Sequence, residues 1–121
     1  MIEILTEKDK NKIIKACKDN NVEYDSTVEM INCTDKGEQL GFALVSFDKS
    51  ATVLFVGECE TVIFDGLIRT AVHLASEKLI GTVYYAQTVD ENMLLNLGFV
   101  QDKDKRIIKP LSFMEKQCEK M

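Results

Sequence analysis

Four kinds of side chain in this sequence could do chemistry: a single imidazole, four thiols, two adjacent phenols and a scatter of carboxylates. His73 is the only imidazole. On a helical wheel over residues 66–80, Leu67, Ile68, Ala71, Leu74 and Ala75 make an apolar stripe. His73 falls on the other face with Arg69, Thr70, Ser76 and Glu77, so it reads as a solvated group and Arg69 as a surface partner of Glu77 or of a partner chain. Cys17, Cys33, Cys59 and Cys118 stand far apart without the paired spacing of a zinc site, which predicts reduced thiols and no metal. Cys59 precedes a helix start, a place that lowers thiol pKa, but Glu58 and Glu60 on either side push the other way. Tyr84 and Tyr85 sit together in a β-branched and aromatic run. Strand alternation turns one phenol outward, where it can donate a proton, and packs the other on a helix.

These groups need a frame, and hydrophobic periodicity supplies one. Residues 28–33, 39–47 and 51–57 read as strands, separated by Thr34-Asp35-Lys36-Gly37 and Asp48-Lys49-Ser50, both polar turns of hairpin length. Ahead of them, Thr6-Glu7-Lys8-Asp9 opens a helix with Thr6 as its cap, Ile13, Ile14 and Cys17 form its stripe, and Asn20-Asn21 stops it. Asp65-Gly66 reads as the cap and permissive first turn of a helix over 67–79, and Gly81 leads into a strand over 82–86. Strand, helix and strand in that order predict parallel pairing through a right-handed crossover. The chain therefore changes near Glu58 from an antiparallel meander to parallel units, giving an α/β fold with a mixed sheet. Beyond residue 99, strands are expected over 100–102 and 106–109 and a terminal helix over 112–120.

With 121 residues, 45% of them hydrophobic, the chain suits one domain over residues 1–121 with one core. No apolar run reaches membrane-spanning length, and Met1-Ile2-Glu3-Ile4-Leu5-Thr6-Glu7 lacks a basic start and an apolar signal core. A cytoplasmic protein with no membrane partner is expected. The net charge of −5 argues against nucleic acid and anionic membranes, which both need a positive field. Basic residues concentrate at the end, in Lys103, Lys105, Arg106, Lys109, Lys116 and Lys120. The large apolar residues of Ile107-Ile108-Lys109-Pro110-Leu111-Ser112-Phe113-Met114 make that stretch the expected contact of a homodimer.

The run Asp90-Glu91-Asn92-Met93-Leu94-Leu95-Asn96-Leu97-Gly98-Phe99 reads as a short helix capped by Asp90 and closed by Gly98. It resembles the E-N-x-x-L-x-x-L-G-F signature of the GCN5-related N-acetyltransferases (GNAT), and residues 66–85 are similar to that family's central helix and fifth strand. The resemblance implies a GNAT-like acyl-CoA N-acyltransferase fold and an acetyl-CoA-dependent N-acetyltransferase acting on a small-molecule or protein amine. It implies that Phe55, Val56 and Gly57 grip the pantetheine arm, that Val62, Ile63, Phe64 and Asp65 form the pyrophosphate loop, and that Asn92 flanks the pantetheine. It implies Glu58 as a general base and Tyr84 or Tyr85 as the acid, since Leu94 stands where the family usually places its tyrosine.

The sequence departs from the family at the pyrophosphate loop, whose form is Q/R-x-x-G-x-G/A. Anchored on the helix, Cys59 takes the basic position and Val62 and Phe64 the two glycine positions, with Glu58, Glu60 and Asp65 adding negative charge. Bulky side chains and acids oppose a close-lying pyrophosphate, so weak acetyl-CoA binding is expected. The alternative is a fold kept without its catalysis, as a binding or regulatory module.

Overall fold

A computed structural model describes residues 1–110. The chain opens with strand β1 (Ile2–Thr6) and helix α1 (Lys10–Asp19), then a meander of β2 (Val28–Asp35), β3 (Glu38–Phe47) and β4 (Ala51–Val56). Lys36 and Gly37 make the two-residue β2–β3 turn with φ of 53° and 83°, the left-handed pair that matches strand twist in a tight hairpin. Helix α2 (Thr61–Glu77) then crosses to β5 (Val83–Tyr85), followed by α3 (Glu91–Asn96), β6 (Val100–Asp102) and β7 (Ile107–Ile108).

The seven strands form one sheet in the order β1-β2-β3-β4-β5-β7-β6. Among the described residues only β4 and β5 pair in parallel, over Ala51↔Val83, Thr52↔Tyr84 and Val53↔Tyr85, with α2 between them in sequence as the strand-helix-strand order predicts; the expected second parallel unit does not form, because β7 comes between β5 and β6 and pairs antiparallel with both. One face carries α2 and α3. Ile63, Phe64, Leu67, Ile68, Ala71 and Ala75 of α2 pack there with Ile31, Val45 and Val53 of the sheet and with Leu94 and Phe99. On the other face Ile13 and Cys17 of α1 close over Val28, Met30 and Leu44. Asp90 caps α3, accepting from the Met93 amide at 3.1 Å, and Gly98 takes φ of 78° after it.

Several expectations need correction. Residues 2–6 form a strand, so Thr6 is not a helix cap. That role belongs to Asp9, whose carboxylate accepts from the Asn11 amide at 3.0 Å. Helix α2 begins at Thr61 rather than near Leu67, with Glu60 as N-cap, so Asp65 and Gly66 lie one turn inside. The reason is burial: Ile63 and Phe64 continue the stripe of Leu67, Ile68 and Ala71 backward by one turn and are themselves in the core. Arg69 pairs with Asp65 at 2.6 Å, and Glu77 with His73 at 2.8 Å. Of the expected dimer contact, Ile107 and Ile108 form an inner strand between β5 and β6, with Ile108 buried; Leu111, Ser112, Phe113 and Met114, like the expected helix over 112–120, lie outside the described residues. Among the described residues no helix is long and apolar enough to cross a membrane, and no cluster of His, Cys, Asp and Glu could hold a metal ion.

Candidate functional site

The parallel junction is short, and the candidate site lies just beyond its end. The Ala86 amide donates to the Val53 carbonyl at 2.9 Å. Past that bond β5 turns away through residues 86–89 into α3, while β4 runs on beside β3. At this point Leu44 faces Phe55 but Val45 faces Val53, so Leu54 is an unpaired bulge residue that bends the strand. The Gly57 amide donates to the Phe42 carbonyl at 2.9 Å. Antiparallel ladders alternate, so Phe55 and Gly57 bond to β3 while the N–H and C=O of Val56 point into the widening gap. The Leu54 carbonyl also faces the gap and accepts from the Thr88 hydroxyl at 2.7 Å. Among the described residues the gap is therefore a wedge lined by backbone, in which Val56 has no partner and Thr88 makes a cross-tie.

Residues 57–60 join β4 to α2. Gly57 has the Phe42 ring where a Cβ would stand, 2.6 Å from its nearest atom, so a larger residue there must displace that ring. Glu58 and Glu60 are exposed. Cys59 is half-buried against Gly41, and burial raises its thiol pKa, with Cys33 nearby adding to the effect; a thiol so placed is a packing group rather than a nucleophile. The amides of Ile63 and Phe64 already donate to the Glu60 carbonyl, each at 3.0 Å. Val62 is 66% exposed on the first turn, whereas Ile63 and Phe64 are core residues and Asp65 is held by Arg69. Of the four residues expected in the loop, only Val62 lies at the open helix start beside residues 57–60.

The tyrosine pair divides as strand alternation requires. Tyr85 is 2% exposed on the α2 face, and its hydroxyl donates to Glu91 Oε2 at 2.6 Å. Burial first, and then the Glu91 carboxylate, push its pKa up to about 12. Tyr84 turns to the α1 face and is half-buried, while Asn92 is exposed on α3. The structure thus brings Val56, Tyr85, Thr88 and Glu91 to the diverging strands and Glu58 to the adjoining loop. Tyr85, Ala86, Gln87, Val89, Glu91 and Arg106 line a cavity of about 100 Å³ at the turn from β5 into α3. Glu91 and Thr88 escape a reading of the sequence, although a buried phenol requires a partner and Glu91 is the first acid after Asp90 on the following helix.

Tyr85 gives a direct check. Its folded pKa lies above the ordinary value of 10.0, so the folded state holds this proton more tightly than the unfolded chain. The associated stability is present below about pH 10 and is lost as pH rises toward about 12. Absorbance titration should show one phenol ionising only near pH 12, a step that Tyr85→Phe abolishes. Complete phenol ionisation by about pH 10.5 in the folded protein would contradict this placement.

On the opposite face a roomier groove of about 410 Å³ lies between α1 and β2–β3, with Met30 and Phe42 among its lining residues. A hydrogen-bonded row crosses it: Gln39 Nε2 donates to Asn32 Oδ1 at 2.6 Å, and Asn32 Nδ2 to Glu7 Oε1 at 3.0 Å. Phe42 links the two regions, since its ring also packs on Gly57.

No protein-family model matches the chain, and no curated protein matches it in sequence. Among solved structures it is similar to Ard1 from Thermoplasma volcanium, an N-acetyltransferase of the GNAT type. The alignment covers 86% of this chain and 92% of that one at 16% identity, with a TM-score of 0.51. At that identity the likeness is one of architecture, and it identifies the mixed sheet with its parallel β4–β5 junction as a GNAT-like fold.

Proposed function

We propose that this chain is an N-acetyltransferase that moves the acetyl group of acetyl-CoA to the amine of a small molecule or protein, and that it grips the cofactor by its pantetheine arm rather than its pyrophosphate. The observation that carries this reading is Val56, whose N–H and C=O, by the alternation of the β3–β4 ladder, face the gap between β4 and β5 with no partner among the described residues. An extended arm bearing amides suits such a residue, because it can pair with both groups as an added strand would. The pyrophosphate fits less well. The α2 N-terminus attracts anions by roughly 0.3 to 1 kcal/mol, but residues 57–60 offer two exposed carboxylates and no cation.

When bound, acetyl-CoA supplies an activated thioester. The chain contributes orientation and a proton acceptor. Val56 aligns the arm by backbone pairing, and the hydrogen bond from the Tyr85 hydroxyl to Glu91 fixes the corner beside it, the phenol staying protonated throughout the physiological range. Glu58, exposed in the loop after β4, is the carboxylate we assign to accept a proton from an incoming amine. The groove between α1 and β2–β3, which reaches the wedge at Phe42, gives an amine room to approach. Proximity of amine and thioester is then the main source of rate.

Calorimetric titration with acetyl-CoA and with acetyl-pantetheine, which lacks the pyrophosphate, tests the reading. The two are expected to bind weakly and within about tenfold of one another. Each should stabilise the fold by about 2.7 kcal/mol at a hundredfold excess over its Kd. Acetyl-CoA binding that is tight while acetyl-pantetheine fails would show that the pyrophosphate is the anchor. The Thr88 cross-tie favours a second reading, in which the fold serves as a binding or regulatory module with a partly closed gap. Absence of binding by either ligand supports that one.

A further inference from the structure

The two edges of the sheet are unequally protected against pairing with another chain. The β6 edge is three residues long, ends in Asp102 and runs into Lys103, Asp104, Lys105 and Arg106, a short and charged edge of the kind that resists pairing. The β1 edge has none of these protections. It is five residues long, contains no proline, and pairs with β2 in unbroken register from Ile2↔Asp35 to Thr6↔Ile31. Glu3 is its only charged side chain, and Ile2 and Leu5 are 53% and 59% exposed.

The ladder phase fixes which backbone groups this edge presents. The Glu7 amide donates to the Met30 carbonyl at 2.8 Å, so Glu3, Leu5 and Glu7 face β2, and Ile2, Ile4 and Thr6 direct their N–H and C=O outward. We propose that this edge joins β1 of a second copy in antiparallel fashion about a two-fold axis at Ile4, extending the sheet across a homodimer.

The edge is self-complementary in three respects. Centring on Ile4 satisfies all its outward groups at once, because Ile4 pairs with its counterpart and Ile2 pairs with Thr6 of the second copy. On the α2 face the centre is apolar against apolar. There Ile4 lies under Gly66, 2.7 Å from where a Cβ would stand, and the exposed Val62, one turn earlier on that side of α2, adds apolar cover from each copy. On the α1 face Glu3 lies opposite Leu5, so no like charges stand directly across the ladder. The occupant also has an electrostatic signature. Two chains of net charge −5 repel, so salt strengthens their association, whereas it would weaken capture of a basic peptide on the same edge.

Hydrogen exchange by NMR across about a hundredfold concentration range, with sedimentation on the same samples, tests the proposal. The amides of Ile2, Ile4 and Thr6 are expected to gain protection as dimer forms, while those of Glu3 and Leu5 stay protected throughout. Salt should increase the dimer fraction. Leu5→Lys and Ile2→Pro, both at exposed positions, should weaken dimerisation by about tenfold or more with melting temperature little changed. A strict monomer at all concentrations overturns the proposal. So does a dimer in which the outward amides still exchange freely, or one that both variants leave intact.

Discussion

Truncating Phe99 to alanine is expected to destabilise the fold by about 3 to 5 kcal/mol, a large part of the roughly 5 to 15 typical of a domain. Phe99 is fully buried and is among the most voluminous side chains so placed. It joins α3 to β6, and its ring lies 5.2 Å below the Arg69 guanidinium of α2, so its removal leaves a cavity where three elements meet. Its backbone is also engaged at both ends, donating to the Leu94 carbonyl at 3.0 Å and accepting from the Lys109 amide at 2.8 Å, which limits collapse around the void. Urea unfolding monitored by circular dichroism measures the loss, with Leu95→Ala, at a 41% exposed site on α3, as a near-neutral comparison. A loss below about 1 kcal/mol for Phe99→Ala would mean that the α3–β6 corner repacks freely, contrary to this structure.

Reversing the two exposed acids of the β4–α2 loop should raise affinity for acetyl-CoA about tenfold or more while leaving acetyl-pantetheine unaffected. Glu58→Lys with Glu60→Lys replaces repulsion of a pyrophosphate with attraction at the start of α2, where the helix dipole already favours an anion. The gain should shrink at high salt, because both sites are exposed and screened. Calorimetry with the two ligands at two salt concentrations reads out the effect. An unchanged acetyl-CoA affinity would show that the diphosphate does not lie near residues 57–60. Catalysis reports separately, since Glu58 is also the proposed proton acceptor and its reversal should lower turnover even as binding tightens.

Local signals account for the part of the fold that is legible in the sequence. Asp90 and Gly98 bracket α3 because capping and left-handed backbone depend on the residue itself. The Lys36-Gly37 turn and the alternation of its flanking strands define a hairpin without outside help. Strand β1 is not legible, since a five-residue edge strand owes its existence to β2, some thirty residues away. The start of α2 is disguised because Asp65-Gly66 looks like a cap, while Thr61-Val62-Ile63-Phe64 looks like strand; packing of Ile63 and Phe64 decides the matter. At the candidate site, the family resemblance points to the end of β4 and the loop after it, the region where the wedge beside Val56 opens. The Leu54 bulge, the Val56 backbone in the gap and the Tyr85–Glu91 pair depend on register and burial, neither of which a single sequence displays.

The brevity of the β4–β5 junction bears on how the chain comes apart. Three residue pairs join the meander, with β1 at its edge, to the three strands beyond it, and those strands are themselves only three, two and three residues long. The meander holds long antiparallel ladders between β1, β2, β3 and β4 that close through near-neighbour turns or a single helix. Side-chain packing across the seam carries what the short ladder cannot, since Tyr85, Leu94, Phe99 and Ile108 share one buried cluster with Ile31, Val45 and Val53. Because the wedge beside Val56 lies on that seam, whatever fills the wedge also acts as a clamp against local opening there.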